Sequence, residues 1–225
     1  MNKVSQLLVF ILCLCNSVFP QDVQIKFVPK FGESDLALEK KYFSSANKDS
    51  LIIETFRFYV SKFFLIKNGK EVYVEKNSFH LMDIENKLQF ALKIKKTDFD
   101  AVRFCIGIDS TTNVSGAMGG DLDPVNGMYW AWQSGYINFK LEGKSKICPT
   151  RNNVFQFHIG GYLMPNQSIQ TITLPAKIAS QILINIDLEK FLNGIDLKTT
   201  NEIMSPGEKA VSLAKLYQTI FMIAE

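Results

Sequence analysis

The chain holds only two histidines, His80 and His158, and they have the widest chemical reach of its side chains. His80 lies in Ser78-Phe79-His80-Leu81-Met82 and His158 in Phe155-Gln156-Phe157-His158-Ile159. Side chains alternate along an extended segment. Each imidazole is therefore expected on the less apolar side of its strand, opposite Phe79 and Leu81 in one case and opposite Phe155, Phe157 and Ile159 in the other. Two neutral imidazoles from separate strands suit copper, zinc or nickel, and strands are rigid supports for such ligands. A histidine on a strand also has a plainer use in a local hydrogen bond, and spacing alone does not separate the two uses.

Two further stretches could carry a ligand. Gly119-Gly120-Asp121-Leu122-Asp123-Pro124-Val125-Asn126-Gly127 places oxygen donors at Asp121, Asp123 and Asn126, which is part of a calcium loop. It lacks the closing acidic residue and the flanking helices, so a turn built from Asx and Gly residues is the simpler reading. Met128-Tyr129-Trp130-Ala131-Trp132-Gln133-Ser134-Gly135-Tyr136 contains both tryptophans of the chain. Alternate rings share a face, so Trp130 and Trp132 form a core wall, a platform for a flat ligand such as a glycan, or part of a metal surround. Enzyme readings are thin, because no nucleophile elbow, Walker loop or GxGxxG sequence is present.

These residues need elements to hold them, and the composition points to strands. The 225 residues are 47% apolar and include 18 Phe, enough for one large core with a pleated, half-buried surface. Lys and Arg number 25 against 22 Asp and Glu, an excess too slight and too scattered for a nucleic-acid footprint. Clean alternation at residues 136–142 puts Ile137, Phe139 and Leu141 on one side and Asn138, Lys140 and Glu142 on the other. Similar runs occur at 23–28, 51–66, 88–94, 102–108, 154–159, 170–174 and 181–187, and Asn68-Gly69 marks a hairpin. The expectation is an all-β, immunoglobulin-like antiparallel β-sandwich with a short C-terminal α-helix. Ser205-Pro206-Gly207-Glu208 would open that helix, with Ser205 as its N-cap.

The N-terminus reads as an export signal. Lys3 precedes the apolar run 7–14, which is far too short for a bilayer, and polar Asn16 and Ser17 follow. Residues 1–21 are assigned to the signal peptide and 22–225 to one domain, which is exported to the periplasm, cell surface or medium with no transmembrane span. Lipidation at Cys15 is the less favoured route, because Leu14 precedes it. Of four cysteines, Cys105 and Cys148 remain after processing, and an even pair in an oxidising compartment predicts one disulfide.

Several ordered blocks together resemble the MbnP family of exported copper-binding proteins, which is related to the methanotroph surface copper proteins MopE and CorA. The blocks are Phe56-Arg57-Phe58-Tyr59-Val60-Ser61, Phe79-His80-Leu81-Met82-Asp83, Gly107-Ile108-Asp109-Ser110, residues 119–143, Phe157-His158-Ile159-Gly160-Gly161-Tyr162 and Met204-Ser205-Pro206-Gly207. The resemblance implies a β-rich fold and a mononuclear site where two imidazoles, here His80 and His158, bind Cu(I), assisted by a tryptophan oxidised to kynurenine. It also implies a protein partner, either a dihaem enzyme that modifies the tryptophan or a copper-delivery protein. The modified residue of MopE lies two positions before the first ligand histidine. That position here is Ser78, which leaves Trp130 or Trp132 to supply the ring. Met82 and Met204 are candidate soft third ligands, with core packing as their alternative. The function expected is acquisition, storage or delivery of copper without turnover, and the rival is a surface recognition module using Trp130, Trp132 and Tyr136.

Overall fold

The computed structural model describes residues 21–94, 97–133 and 135–224. The expected signal segment, with Cys13 and Cys15, lies outside the described residues except at Gln21, where the first strand begins. The elements in chain order are β1 (Gln21–Phe31), β2 (Ser34–Asp35), β3 (Lys41–Ser44), β4 (Asp49–Lys67), β5 (Lys70–Val74), β6 (Phe79–Asp83), β7 (Gln89–Ile94), β8 (Ala101–Ile106), α1 (Ser110–Val114), β9 (Tyr129–Trp130), β10 (Gly135–Ser145), β11 (Val154–Gly160), β12 (Gln170–Pro175), β13 (Gln181–Asp187), α2 (Leu188–Asn193), β14 (Glu202–Ile203), α3 (Glu208–Ala214), α4 (Tyr217–Ile220) and β15 (Phe221–Ile223).

They form the expected two-sheet sandwich. One sheet has five strands in the order β15-β13-β1-β2, with β7 also on β1. The other has ten strands in the order β12-β8-β4-β10-β11-β14, with β3, β5 and β6 on β4 and β9 on β10. Pairing is antiparallel except at β1–β13 and β11–β14. Strand β4 organises the larger sheet. Phe58 has both Phe139 and Met82 opposite it, and Val60 has both His80 and Ile106. Hence β10 and then β8 run along one edge of β4, while β6 runs along the other. The register slips between Ser61 and Phe64, where Lys62 takes a positive φ of 51°. The Asn68-Gly69 turn closes β4 onto β5 as its sequence predicts, with φ of 49° and 74°.

Alternation then decides what each face meets. Phe56, Phe58 and Val60 of β4, Phe139 and Leu141 of β10, and Phe155, Phe157 and Ile159 of β11 all point toward the smaller sheet. There they pack against Val23, Ile25, Phe27, Ile184 and Ile186, with Phe191, Ala210 and Tyr217 from the helices filling the layer. Each such aromatic contributes about 1.5–3 kcal/mol by burial. The opposite, outer face of the larger sheet carries a second small core. Tyr59, Leu81 and Ile137 pack there under Ile108, Leu122, Met128, Trp130 and Tyr136 of the segment that links β8 to β10.

Two expectations need correction. Ser205 does not cap the C-terminal helix. α3 starts at Glu208 with Gly207 at the cap position and no side-chain cap, and Pro206 instead lies against Gly161, where an added Cβ would come within 3.1 Å of it. The helical pattern is also split into α3 and α4 before the chain turns into β15. The disulfide does not exist either, since Cys105 and Cys148 are both free. Cys105 lies opposite Ser61, whereas Cys148 follows Ser145, which lies opposite Leu51. These points are roughly 33 Å apart along β4, and a bridge needs Cα atoms within about 7 Å. Burial raises both thiols above their ordinary range, Cys148 to about 11, so neither is a reactive thiolate.

Candidate metal and ligand site

The parity of β4 determines where the two imidazoles go. His80 is opposite Val60 on β4. His158 is opposite Lys140, which in turn is opposite Arg57 on β4. Val60 and Arg57 are an odd number of residues apart, so the side chains registered with them point to opposite faces of the sheet. Burial agrees. His80 shares the face of Met82, which is in the main core, while Phe157 and Ile159 enter that core on either side of His158 and leave it on the outer face. Laterally the two histidines are separated by three strand spacings, about 14 Å. Two imidazoles on one metal ion need nitrogens about 4 Å apart, from metal–nitrogen bonds of about 2.0–2.1 Å. The His80–His158 pair therefore does not fit a shared copper ion in this fold.

Each ring has a carboxylate partner of its own. His80 stacks on Phe90 of β7 with centroids 3.7 Å apart and planes 3° from parallel. Its Nε2 is 2.9 Å from Glu75 Oε2, which also accepts the Ser78 hydroxyl at 2.6 Å. Ser78 Oγ in turn accepts the Phe63 amide at 3.0 Å. Glu75 thus pins the ring at the rim of the inter-sheet layer, and Ser78 bonds to Glu75 rather than to His80, so no serine–histidine nucleophile forms. On the outer face, His158 Nε2 is 2.6 Å from Glu142 Oε1, and Lys140 Nζ is 3.6 Å from the same oxygen. The hydrogen bond to His158 holds the Glu142 carboxyl down at about 2, aided by the Lys140 charge and Thr55 and opposed by burial.

The polar row continues across the sheet. Arg57 Nε is 3.0 Å from Asp83 Oδ2, an ion pair without hydrogen-bond alignment. Its two Nη atoms reach Glu85 at 3.1 Å and the Asn126 carbonyl at 3.2 Å. Arg57 thereby ties the covering loop to the sheet.

The tryptophans part company. Trp130 is 6% exposed and lies on Gly160, where an added Cβ would come within 2.6 Å of the indole. Gly160 is two residues beyond His158 and so on the same face. Trp132 is 67% exposed, with its centroid 6.0 Å from that of Trp130 and its plane tilted by 48°. Tyr136 is buried, its hydroxyl accepting the Met118 amide at 3.0 Å and donating to the Leu122 carbonyl at 3.1 Å. A three-ring platform of Trp130, Trp132 and Tyr136 does not form.

The oxygen donors of the Gly-rich loop are used internally. Asp121 Oδ2 accepts the Leu81 amide at 2.9 Å and Lys87 Nζ at 2.7 Å. Asp123 caps Val125, and the Asn126 amide donates to the Gly120 and Asp121 carbonyls. The loop is an Asx-braced lid, with the Tyr59 hydroxyl donating to the Asp121 carbonyl at 2.9 Å. Among the described residues no three His, Cys, Asp or Glu side chains converge as a metal-binding group. Met82 is fully buried in the main core, a packing residue. The pairing residues missed by sequence reading are Glu75 and Glu142. Glu142 had a signal, since alternation put it on the polar side of its strand two positions from Lys140.

A two-sheet sandwich with a loop lid over one face of its larger sheet is the class that these features define. The chain belongs to the MbnP family, whose sequence profile matches residues 20–205. A solved structure titled MbnP from Methylosinus trichosporium is similar to it, with a TM-score of 0.62 and 14% identity over 84% of this chain and 83% of that one. That likeness is one of fold. No curated protein matches the sequence. Among the described residues no helix is long and apolar enough to cross a membrane.

Proposed function

We propose that this is an exported, non-catalytic protein of copper handling that holds its ion at His158, and not between His80 and His158. Copper comes from the family resemblance. Export comes from the basic start and short apolar run of residues 1–21. The observation that carries the choice of residue is the 2.6 Å contact between His158 and Glu142 on the lid-covered face. A carboxylate on one ring nitrogen is the usual support behind a metal-bound imidazole, because it fixes the ring and raises the basicity of the other nitrogen. His80 has a similar carboxylate but is stacked flat on Phe90 within the sandwich. Any oxidised tryptophan would in this reading be Trp130, the indole nearest His158 along β11, and intact mass reports such a change directly.

The test is copper stoichiometry of the purified protein. About one ion per chain is expected, lost in His158→Ala and kept in His80→Gln. Loss in both variants, or in neither, rejects this reading. A second reading rests on Trp132, whose open ring could stack on a glycan or a protein partner. Glycan-array or pull-down binding that disappears in Trp132→Ala, with copper absent, would favour it.

A further inference from the structure

We propose that this protein rests reversibly on a lipid surface through a charge-free apolar patch made by three loops, with Trp132, Leu163 and Met164 as the inserted side chains. The inference does not depend on the metal. Residues 110–120, 124–139 and 159–176 contain no Asp, Glu, Lys, Arg or His, in a chain that is 21% charged. Their loops leave the larger sheet together, in the gap where β8 ends opposite Val60 and β10 begins its pairing opposite Phe58 on the same edge of β4. They are also bonded to one another. The Ser110 hydroxyl donates to the Tyr162 carbonyl at 2.6 Å and accepts Gln167 Nε2 at 3.0 Å, while Asn113 Oδ1 accepts the Tyr136 amide at 2.8 Å and the Tyr136 hydroxyl accepts the Met118 amide at 3.0 Å. Polar groups paired inside the loops make the patch cheap to desolvate. Around them Val114, Met118, Trp132, Leu163 and Met164 are 44% to 79% exposed.

Side chains this exposed stand off the surface as separate knobs. Two cavities, one lined by Asn47, Ile147 and Ile195 and the other by Phe99, Ala176 and Ile182, include no residue of 110–118, 128–136 or 161–168. A second copy would need sockets within the same patch to take its knobs, whereas a fluid bilayer closes around knobs of any shape. The missing charge narrows the partner further, since these loops hold no cation to draw an anionic surface. Trp is the ring that settles at headgroup level, and Leu and Met supply apolar area beneath it. A few inserted side chains give weak, reversible attachment, not anchoring.

Flotation of the purified protein with phosphatidylcholine vesicles, in low and in high salt, tests this. Binding should be the same in both, because no charged contact is there to screen, and tryptophan emission should shift to the blue as Trp132 leaves water. Trp132→Ala and the double variant Leu163→Ser/Met164→Ser should each weaken binding roughly tenfold or more. Phe43→Ser, at an exposed ring on β3 outside the patch, should bind as the wild type does. All of these positions are exposed, and unchanged thermal melts report that the variants remain folded. Absence of binding overturns the proposal, as does binding that high salt abolishes, that requires phosphatidylglycerol, or that survives in every patch variant. Sedimentation velocity without vesicles supplies the last arm: a dimer that Trp132→Ala dissolves would make a second copy the occupant and also overturn it.

Discussion

Acid should reveal what Glu142 contributes to the fold. Its carboxyl is held at about 2 against an ordinary 4.5, first by the His158 hydrogen bond and then by Lys140 and Thr55. The folded state therefore binds fewer protons than the unfolded state between these values. Stability from this group is complete above pH 4.5 and is lost as pH falls toward 2. At 1.36 kcal/mol per pKa unit the shift corresponds to about 3 kcal/mol at most. The side chain is 20% exposed, and solvent screening brings the expected contribution to about 1–2 kcal/mol. Urea unfolding of the wild type and of Glu142→Gln, at several pH values from 7 to 2, measures it. The variant should be less stable by about 1–2 kcal/mol at neutral pH, and the two curves should converge at the acid end. A gap that stays constant across the whole range would refute the assignment of the shift to this carboxylate.

Cys105 and Cys148 should both alkylate after denaturation without reductant, and a blocked pair by mass spectrometry would contradict their separation along β4. Gly143→Ala should lower stability by roughly 3 kcal/mol or more in thermal or urea melts, because an added Cβ would overlap the Ile52 carbonyl and the Phe155 ring at the register shift. Trp130→Ala should cost about 3–5 kcal/mol, as a buried ring is removed from the outer core, whereas Trp132→Ala should stay within about 0.5 kcal/mol. Calcium should leave the melting temperature unchanged, because Asp121, Asp123 and Asn126 already brace the lid internally; an upward shift would mean that those side chains rearrange around the ion.

The sandwich was legible because period-two alternation is local. Phe139 and Leu141 share the inner face as their alternation predicts, whereas Ile137, expected beside them, turns to the outer core at the bulge between Ile137 and Phe139; Asn68-Gly69 declares its turn within two residues. Which face a histidine shares with another histidine is not local. It depends on whether β6 registers with β4 at Val60 and β10 registers with it at Arg57, an odd step set by long-range pairing that no spacing along the chain reveals. A slip of one residue in either pairing would have brought the rings to one face. The cysteines failed for a related reason, since parity of count says nothing of distance along β4. Ser205 has the right residue type for a cap, but the approach of Pro206 to Gly161 moves the helix start to Glu208. At the site, the polar alternation of Lys140 and Glu142 was visible, whereas their meeting with His158 required the β10–β11 register.

The central claim is that one imidazole, not two, faces the metal. X-ray absorption at the copper edge of the loaded protein counts imidazoles through their multiple scattering. A single imidazole is expected. Two imidazoles on one ion would contradict it, because His80 and His158 lie on opposite faces of the sheet and three strand spacings apart.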